Sequence, residues 1–475
     1  MPNLTVRQFL ITVVCLLTTL IVMRPQAADP DLYWHLRSGE IMLETGAAIK
    51  GDVFSHTLTG GGRVHYEWLS EVILSAVQRV LADYGLTLLA GVFSLTALWA
   101  MYRLTMGSLG VRLLLLLLAA NTSMSITMAR PQAWMVLFTV ILVGMVLKRG
   151  PSLWWIPVIM LAWANLHGGW VSGYLVLGAA IFAETVKLIF KRGGDEVWLR
   201  RLILWSLVGV LALTLNPYGS ELLLVPLRTV QQGAFAYINE WLPPDLTDPS
   251  RFGFVVLLVL GALVLIVERR RIPLLGAILL IGFGLWSLKT SRIVPLYSFI
   301  APIILSPYLS DLLRRYAPRL RLPDARLSQP LRFGFLAVIL LSLIVAISFV
   351  IGSSPTRITE IQRKAGYPLD AIAFLQSTDS AERELFNTYN WGGYLIYSLR
   401  DYPVFIDGRG DLYGDFFFVY LDIMTVQPGW QDQFSVYKVN TVLISPNSRL
   451  AQALVTEPGW ALAYQDPSAV VYIRR

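Results

Sequence analysis

Apolar residues in this chain gather into repeated runs of roughly 15–20, most long enough to cross a ~30 Å hydrocarbon core, and this pattern predicts membrane-spanning helices. The first run is Phe9 to Met23, and others lie at about 86–102, 111–128, 133–147, 152–166, 171–190, 202–216, 252–267, 273–288, 293–309 and 333–351. Threaded together they predict a polytopic α-helical membrane protein of about eleven spans. Between the first two runs lies a long polar stretch, Ala27 to Tyr84. Its apolar residues between Trp68 and Leu81 recur at helical spacing, which predicts an amphipathic helix lying on the membrane. After Gly352 the pattern becomes that of a soluble domain. Val404–Ile406, Val439–Ile444, Ala461–Tyr464 and Val470–Ile473 read as short strands, with helical stretches near 368–376 and 391–399 and a hairpin turn at Asp466-Pro467-Ser468. The expected organisation is a transmembrane domain over 1–352, with outer loop 27–85 carrying interfacial helices, and a small α/β domain over 353–475.

Composition sharpens this reading. Of 475 residues 55% are hydrophobic and only 15% charged, against about a quarter charged in a soluble domain, which excludes a soluble enzyme with one globular core. The 39 basic and 31 acidic residues leave a charge of +8, concentrated in a few loops. With eleven spans, Arg7, Arg103, Arg112, Lys148, Arg149, the run from Lys187 to Arg201, Arg269–Arg271 and the segment Arg314 to Arg332 share one side. Apart from a few in the long first loop, the other side holds scattered cations: Arg130, Arg228, Arg251, Lys289 and Arg292. The positive-inside rule then places the N-terminus in the cytoplasm and everything after Gly352 outside it. Such clustering is a topology signal, not a nucleic-acid footprint. Ala27-Ala28 follow Gln26 where a cleavage site wants a small residue, so the first run is expected to stay as a helix. The single cysteine, Cys15, lies inside that run, so neither an intrachain disulfide nor a cysteine-based metal site is available.

The topology sorts the polar residues. All four histidines (His35, His56, His65, His167) fall on the outer side, as do Asp29, Asp31, Glu67, Arg130, Asn165, Asn216, Glu240, Lys289 and Arg292. Polar groups held where spans meet the interface point to an outward-opening polar cavity. The sharpest local feature is Asp29-Pro30-Asp31-Leu32-Tyr33-Trp34-His35-Leu36. Two carboxylates beside a low-dielectric wall have raised pKa values, suited to taking a proton from a hydroxyl nucleophile. The plain alternative is that Asp29-Pro30 stops one helix and Asp31 caps the next. In Arg63-Val64-His65-Tyr66-Glu67-Trp68-Leu69-Ser70-Glu71, the two glutamates lie one helical turn apart on a polar face, as on a solvated amphipathic helix. A divalent metal held by His35, His65, His167 and a carboxylate is conceivable, but no His-x-x-x-His or His-Glu-x-x-His spacing supports it. Arg130, Lys289 and Arg292 at outer helix ends suit a phosphate on a lipid carrier. The Arg409-Gly410-Asp411 tripeptide follows an apolar strand and reads as a glycine turn rather than an adhesion motif.

Asp31, Tyr33-Trp34 and a helical stretch closing at Leu43-Glu44-Thr45-Gly46 resemble the first outer loop of the GT-C superfamily of integral membrane glycosyltransferases. The chain is also similar to a bacterial group of GT-C-like proteins carrying Asp-x-Asp-x-x-Trp-His-Leu, His-x-x-Trp-Leu and Asp-Gly-Arg-x-Asp-Leu-Tyr, here Asp29–Leu36, His65–Leu69 and Asp407–Tyr413. The resemblance implies an enzyme of the bacterial inner membrane with a periplasmic domain. It would move a sugar from a polyprenyl-phosphate carrier to an extracytoplasmic glycan, lipid or protein by inverting displacement, with no cofactor required. Carried over by position, Asp31 is the general base and Asp29 the fallback, because Leu32 stands where the usual pair has a second acid. Arg130, Lys289, Arg292 and His167 would meet the donor phosphate, and His35, His65, Glu67, Asn165, Asn216 and Glu240 would line the pocket. Two rivals belong to other classes. A lipid-linked substrate transporter needs access from both faces, and no inverted repeat is seen. A catalytically silent GT-C-like scaffold would use the outer domain to dock a partner subunit.

Overall fold

The computed structural model describes residues 5–23, 25–58, 60, 65–122, 129–150, 152–231, 233, 237–318, 329–378 and 383–475. Arg63 and Val64, the end of the 111–128 run, and positions 319–328 of the second basic segment lie outside the described residues. The chain forms two compact units. The first comprises Met1–Pro25, Tyr84–Gly219 and Ile238–Gly352; the second comprises Gln26–Asp83, Ser220–Tyr237 and Ser353–Arg475.

Helices make up the first unit: α1 (Val6–Val22), with α2 (Pro30–Thr45) belonging to the second unit, and the later part of α3 (Trp68–Leu104). They continue with α4 (Leu109–Thr122), α5 (Gln132–Lys148), α6 (Trp155–Leu166), α7 (Trp170–Ile189) and α8 (Glu196–Leu213). Past α9 (Val225–Gln231) of the second unit come α10 (Phe252–Val267), α11 (Leu274–Lys289), α12 (Val294–Tyr316) and α13 (Gln329–Ile351). In lipid every backbone polar group needs an internal partner, so apolar runs of this length fold as helices. Each predicted run lies at least partly in a helix. Among the described residues four helices are long and apolar enough to cross a membrane: Trp68–Leu104, Trp170–Ile189, Pro249–Val267 and Ser291–Tyr316. Shorter apolar helices include Val6–Val22, Leu109–Thr122, Gln132–Lys148, Ser152–Leu166 and Leu274–Lys289. The protein is thus a multi-pass helical membrane protein. Its central helix is α12, 83% of whose apolar window is buried against 28% for Pro249–Val267, and it packs on α4, α5, α10 and α11. The range α3 holds two helices that meet at a non-helical residue, Ala82 (φ 50°, ψ −152°), matching the separate helix expected over Trp68–Leu81 and the apolar run expected from 86. The polar pair Asp83-Tyr84 just after the break marks where the amphipathic pattern gives way to the apolar one.

The second unit adds α14 (Pro355–Lys364), α15 (Leu369–Ser377), β1 (Leu385–Asn387), α16 (Gly392–Ser398), α17 (Gly410–Tyr413), α18 (Phe416–Met424), α19 (Trp430–Val436), β2 (Thr441–Ile444), α20 (Arg449–Leu454), β3 (Trp460–Gln465) and β4 (Val470–Arg474). The sheet order is β1-β2-β4-β3, with β1 parallel to β2 and the other pairs antiparallel. Side chains alternate between faces, as a strand requires. Leu385, Leu443 and Val471 enter one core, while Phe386, Val442 and Tyr472 enter the other. The Asp466-Pro467-Ser468 turn forms as read: Asp466 Oδ1 accepts from Ser468 N (2.7 Å) and Ala469 N (2.8 Å). One strand expectation needs correcting. Val404–Ile406 makes only isolated bridges, Val404 with Ser55 and with Leu385. The Asn387 side chain replaces the ladder there, accepting from Phe405 N (2.9 Å) and donating to Ile406 O (2.8 Å). Strand β1 was not anticipated, because three residues carry too little periodicity.

Segments distant in sequence share this unit's core. Tyr33, Trp34 and Phe54 pack in the same cluster as Leu385, Tyr394 and Val404. Val404 N donates to Phe54 O (3.0 Å), His56 N to Val404 O (3.2 Å) and the Thr57 hydroxyl to Phe405 O (2.8 Å).

Candidate active site

Within the second unit, Asp29 and Asp31 open α2. Pro30 occupies the first helical position, where a missing N–H costs nothing. Asp29 is the N-cap, its carboxylate accepting from Asp31 N (3.0 Å), so the capping task falls to Asp29 and not to Asp31. Asp29 is buried and Asp31 half-buried. Asp31 Oδ1 accepts a hydrogen bond from Trp34 Nε1 (3.2 Å). The far end of α2 closes on Gly46 in the left-handed conformation (φ 66°), as its sequence implied. The backbone leading into α2 is held by tyrosines: Tyr33 donates to Ala27 O (2.9 Å) and Tyr367 to Ala28 O (3.2 Å). Gln362 in turn donates to the Tyr33 hydroxyl (2.8 Å).

One turn beyond Asp31, on the same face of α2, His35 meets the start of α3. Its Nδ1 lies 3.1 Å from Glu71 Oε1 and its Nε2 3.6 Å from Glu67 Oε2. His65 Nδ1 lies 3.7 Å from Glu71 Oε2, and its Nε2 is 3.3 Å from Gly51 O. All four side chains are buried. Glu71, expected on a solvated face, is instead enclosed by two imidazoles, because α2 covers that face. His167 belongs to the first unit. Among the described residues no group of three or more His, Cys, Asp or Glu is disposed to hold a metal ion.

A second buried network surrounds Arg409. Its Nη2 donates to Asp407 Oδ2 (2.6 Å), its Nε to Asp407 Oδ1 (2.7 Å) and its Nη1 to Asp52 Oδ1 (2.7 Å). Tyr413 donates to Asp407 Oδ2 (2.6 Å). Asp52 also accepts from Phe54 N (3.1 Å), Ser55 N (3.1 Å) and the Ser55 hydroxyl. Exposure is 0% for Asp407, 1% for Arg409 and 3% for Asp52. Burial pushes the Asp407 carboxyl up, but the Arg409 guanidinium and the Arg409 and Tyr413 hydrogen bonds outweigh it and hold it below its usual range. Arg409 is therefore structural, and the turn reading of its tripeptide holds.

In the first unit, Arg130 Nη1 lies 2.5 Å from Glu240 Oε1, and Arg292 Nη1 lies 3.7 Å from Glu240 Oε2. Arg292 also sits over the Trp241 ring (5.2 Å), and the Thr290 hydroxyl donates to Glu240 O (3.0 Å). Lys289, the last residue of α11, is exposed. Asn165 ties two helix ends together, donating to Leu161 O (2.8 Å) and Leu215 O (3.1 Å). Asn216 closes its own turn through Leu213 O (2.6 Å), Gly219 O (3.1 Å) and Tyr218 N (2.8 Å). His167 Nδ1 accepts from Gly169 N (2.8 Å).

No protein-family model matches this sequence, and neither does any curated protein. Solved structures do match. The apo oligosaccharyltransferase of Archaeoglobus fulgidus aligns over 92% of this chain and 69% of its own, at TM-score 0.60 and 12% identity. Its AglB complex with an inhibitory peptide and a dolichol-phosphate aligns over 98% and 74%, at TM-score 0.57 and 12% identity. ArnT from Cupriavidus metallidurans bound to undecaprenyl phosphate aligns over 98% of this chain and 97% of its own, at TM-score 0.52 and 14% identity. The chain has the GT-C fold. On this GT-C frame the predicted residues form three local groups: Asp29 with Asp31, His35 with His65 and Glu67, and Arg130 with Arg292 and Glu240. Sequence reasoning missed Asp52, which pairs with Arg409, and the burial of Glu71. The motif spanning Asp407 to Tyr413 was the available signal for the first.

Proposed function

We propose that this GT-C protein is a glycosyltransferase that moves a sugar from a polyprenyl-phosphate carrier to an acceptor hydroxyl outside the cytoplasm. Asp31 takes the acceptor's proton as the acceptor oxygen bonds to the anomeric carbon. On the opposite face the bond to the carrier phosphate breaks, its electron pair leaving with the phosphate, so the configuration inverts. Arg130 and Arg292, with Lys289, are the cations assigned to that developing charge. Asp29, occupied with its cap, is the fallback base. The reading includes eleven spans, a cytoplasmic N-terminus and an extracytoplasmic segment after Gly352, and it requires no metal. Structures of the same fold with dolichol-phosphate and with undecaprenyl phosphate support the choice of carrier. The observation that carries the proposal is Asp31 itself, a half-buried carboxylate in the first turn of α2 with Trp34 Nε1 on one oxygen.

A second reading, a catalytically silent relative that docks a partner subunit, is favoured by Leu32, which is buried where the second acid of the family's pair would stand. Membrane vesicles that carry the native acceptor, given undecaprenyl-phosphate-linked glucose, mannose or N-acetylglucosamine, separate the two by release of undecaprenyl phosphate. Asp31→Asn should lower that release by about 10²–10⁴-fold relative to wild type. Equal rates from wild type and variant would favour the silent reading.

A further inference from the structure

Asp31 is held from a second direction by a stretch of chain far along the sequence. A Cβ built on Gly408 would overlap Asp31 Oδ1, the oxygen that accepts from Trp34 Nε1. The three heavy atoms nearest to that Cβ are the two side-chain oxygens and Cγ of Asp31. Gly408 is itself fixed between two members of the buried network, since Asp407 and Arg409 bond to each other on either side of it and Arg409 is pinned to Asp52. Gly410 N donates to Gly408 O (2.9 Å), which closes the turn. By contrast, a Cβ on Gly393 would strike the backbone carbonyl of Pro30, and one on Gly392 would strike Ile406 O and Asp407 Cα. With Gly39, whose Cβ would strike the backbone carbonyl of Glu71, four glycines approach this closely among the described residues of the second unit, and of these only Gly408 does so against the functional end of a side chain.

We propose that Gly408 is a positioning residue for Asp31. Its missing side chain leaves room for the carboxylate in the rotamer that accepts from Trp34, and the Asp52–Arg409–Asp407 network holds the turn at that distance. A methyl group at Gly408 would turn the carboxylate away from the indole while leaving the backbone where it is. The role assigned rests on Asp31 acting as the base, but the placement does not.

The test uses the full chain in lipid nanodiscs without any sugar donor. N,N′-dicyclohexylcarbodiimide modifies protonated carboxyls, and peptide mass spectrometry reads its attachment at Asp31 and at Asp29 as a function of pH. In G408A the Asp31 labelling midpoint should move up by about one pH unit, because the carboxylate loses a donor, and Asp29 should not move. The melting temperature should stay within about 3 °C of wild type, since the displaced atom is a side-chain end. W34F, which removes the donor and keeps Gly408, should give the same upward shift. Unchanged Asp31 labelling in both variants overturns the proposal, as does a G408A chain that no longer folds, since the overlap would then fall on backbone. An active Asp31→Asn enzyme would remove Asp31 from catalysis and leave the labelling result standing, so the two failures are told apart.

Discussion

Arg409 and Asp52 stand 357 positions apart in sequence, and Nη1 of one lies 2.7 Å from Oδ1 of the other with both side chains out of water. This pair joins the loop after α2 to the turn after Val404–Ile406. Removing the guanidinium would leave two buried carboxylates facing each other. Arg409→Met should therefore cost about 3–5 kcal/mol, the usual penalty for orphaning a buried charge. Arg409→Lys should recover only part of this, because one ammonium cannot make the forked contacts to Asp407 and reach Asp52 as well. Tryptophan-fluorescence melting of the purified chain would measure both, and a lysine variant as stable as wild type would contradict the geometry.

The same network sets an acid limit. Asp407 is held below its usual range in the folded chain, whereas an unfolded aspartate titrates near 3.9. A carboxyl with a depressed folded pKa contributes stability that is full above the unfolded value and is lost as pH falls through the folded one. Melting temperature measured from pH 7 to 2.5 should accordingly drop below about pH 4. Asp407→Asn should melt lower at neutral pH and show a shallower acid slope. Parallel slopes for the two proteins would show that another group sets the limit.

His35 and Glu71 make a different kind of contact, between two helices. Glu71 faces His35 on one oxygen and His65 on the other, so its loss removes the carboxylate that both buried imidazoles share and leaves His35 with Glu67 at 3.6 Å. Glu71→Ala should loosen α2 from α3 and expose the Arg37 bond, which is partly accessible already. Limited trypsin digestion would then cut after Arg37 several-fold faster than in wild type, for a loss of about 1–3 kcal/mol. Glu71→Gln, which keeps one acceptor, should fall between. Equal cleavage of all three chains would mean that the cluster does not seat α2.

These contacts mark the boundary of what the sequence reveals. The apolar helices were legible because a run such as Phe252–Val267 has one stable solution in lipid, a helix with its backbone bonded internally. The β3–β4 hairpin was legible because Asp466-Pro467-Ser468 is a local signal. Asp29 and Asp31 were legible as a pair, but which of them caps depends on a single backbone donor, Asp31 N, that spacing alone cannot assign. Glu71 and Asp52 were read poorly or not at all, because their partners lie 36 and 357 residues away and pairing at that range is set by the fold. Val404–Ile406 misled for a related reason. Its apolar run is strand-like, yet its backbone is satisfied by the Asn387 side chain and by residues 54–57, not by a regular ladder.

Glu240 holds the cations that the proposed mechanism needs. It accepts from Arg130 at 2.5 Å and faces Arg292 at 3.7 Å, so a carrier phosphate must compete with a carboxylate already in place. Neutralising that carboxylate should therefore tighten phosphate binding, whereas removing either arginine should weaken it. Native mass spectrometry of the full chain with added undecaprenyl phosphate can rank the variants directly. Arg130→Ala should lose about tenfold or more in affinity, the scale of one charge-assisted hydrogen bond. Lys289→Ala should lose less, since an exposed ammonium is screened by solvent and salt. Glu240→Gln should gain affinity on the wild-type background and little or nothing beside Arg130→Ala, because the competition it relieves is mainly for that guanidinium. If Glu240→Gln instead weakens binding, the carboxylate is part of the phosphate site's scaffold and the arginines are held by it for another purpose.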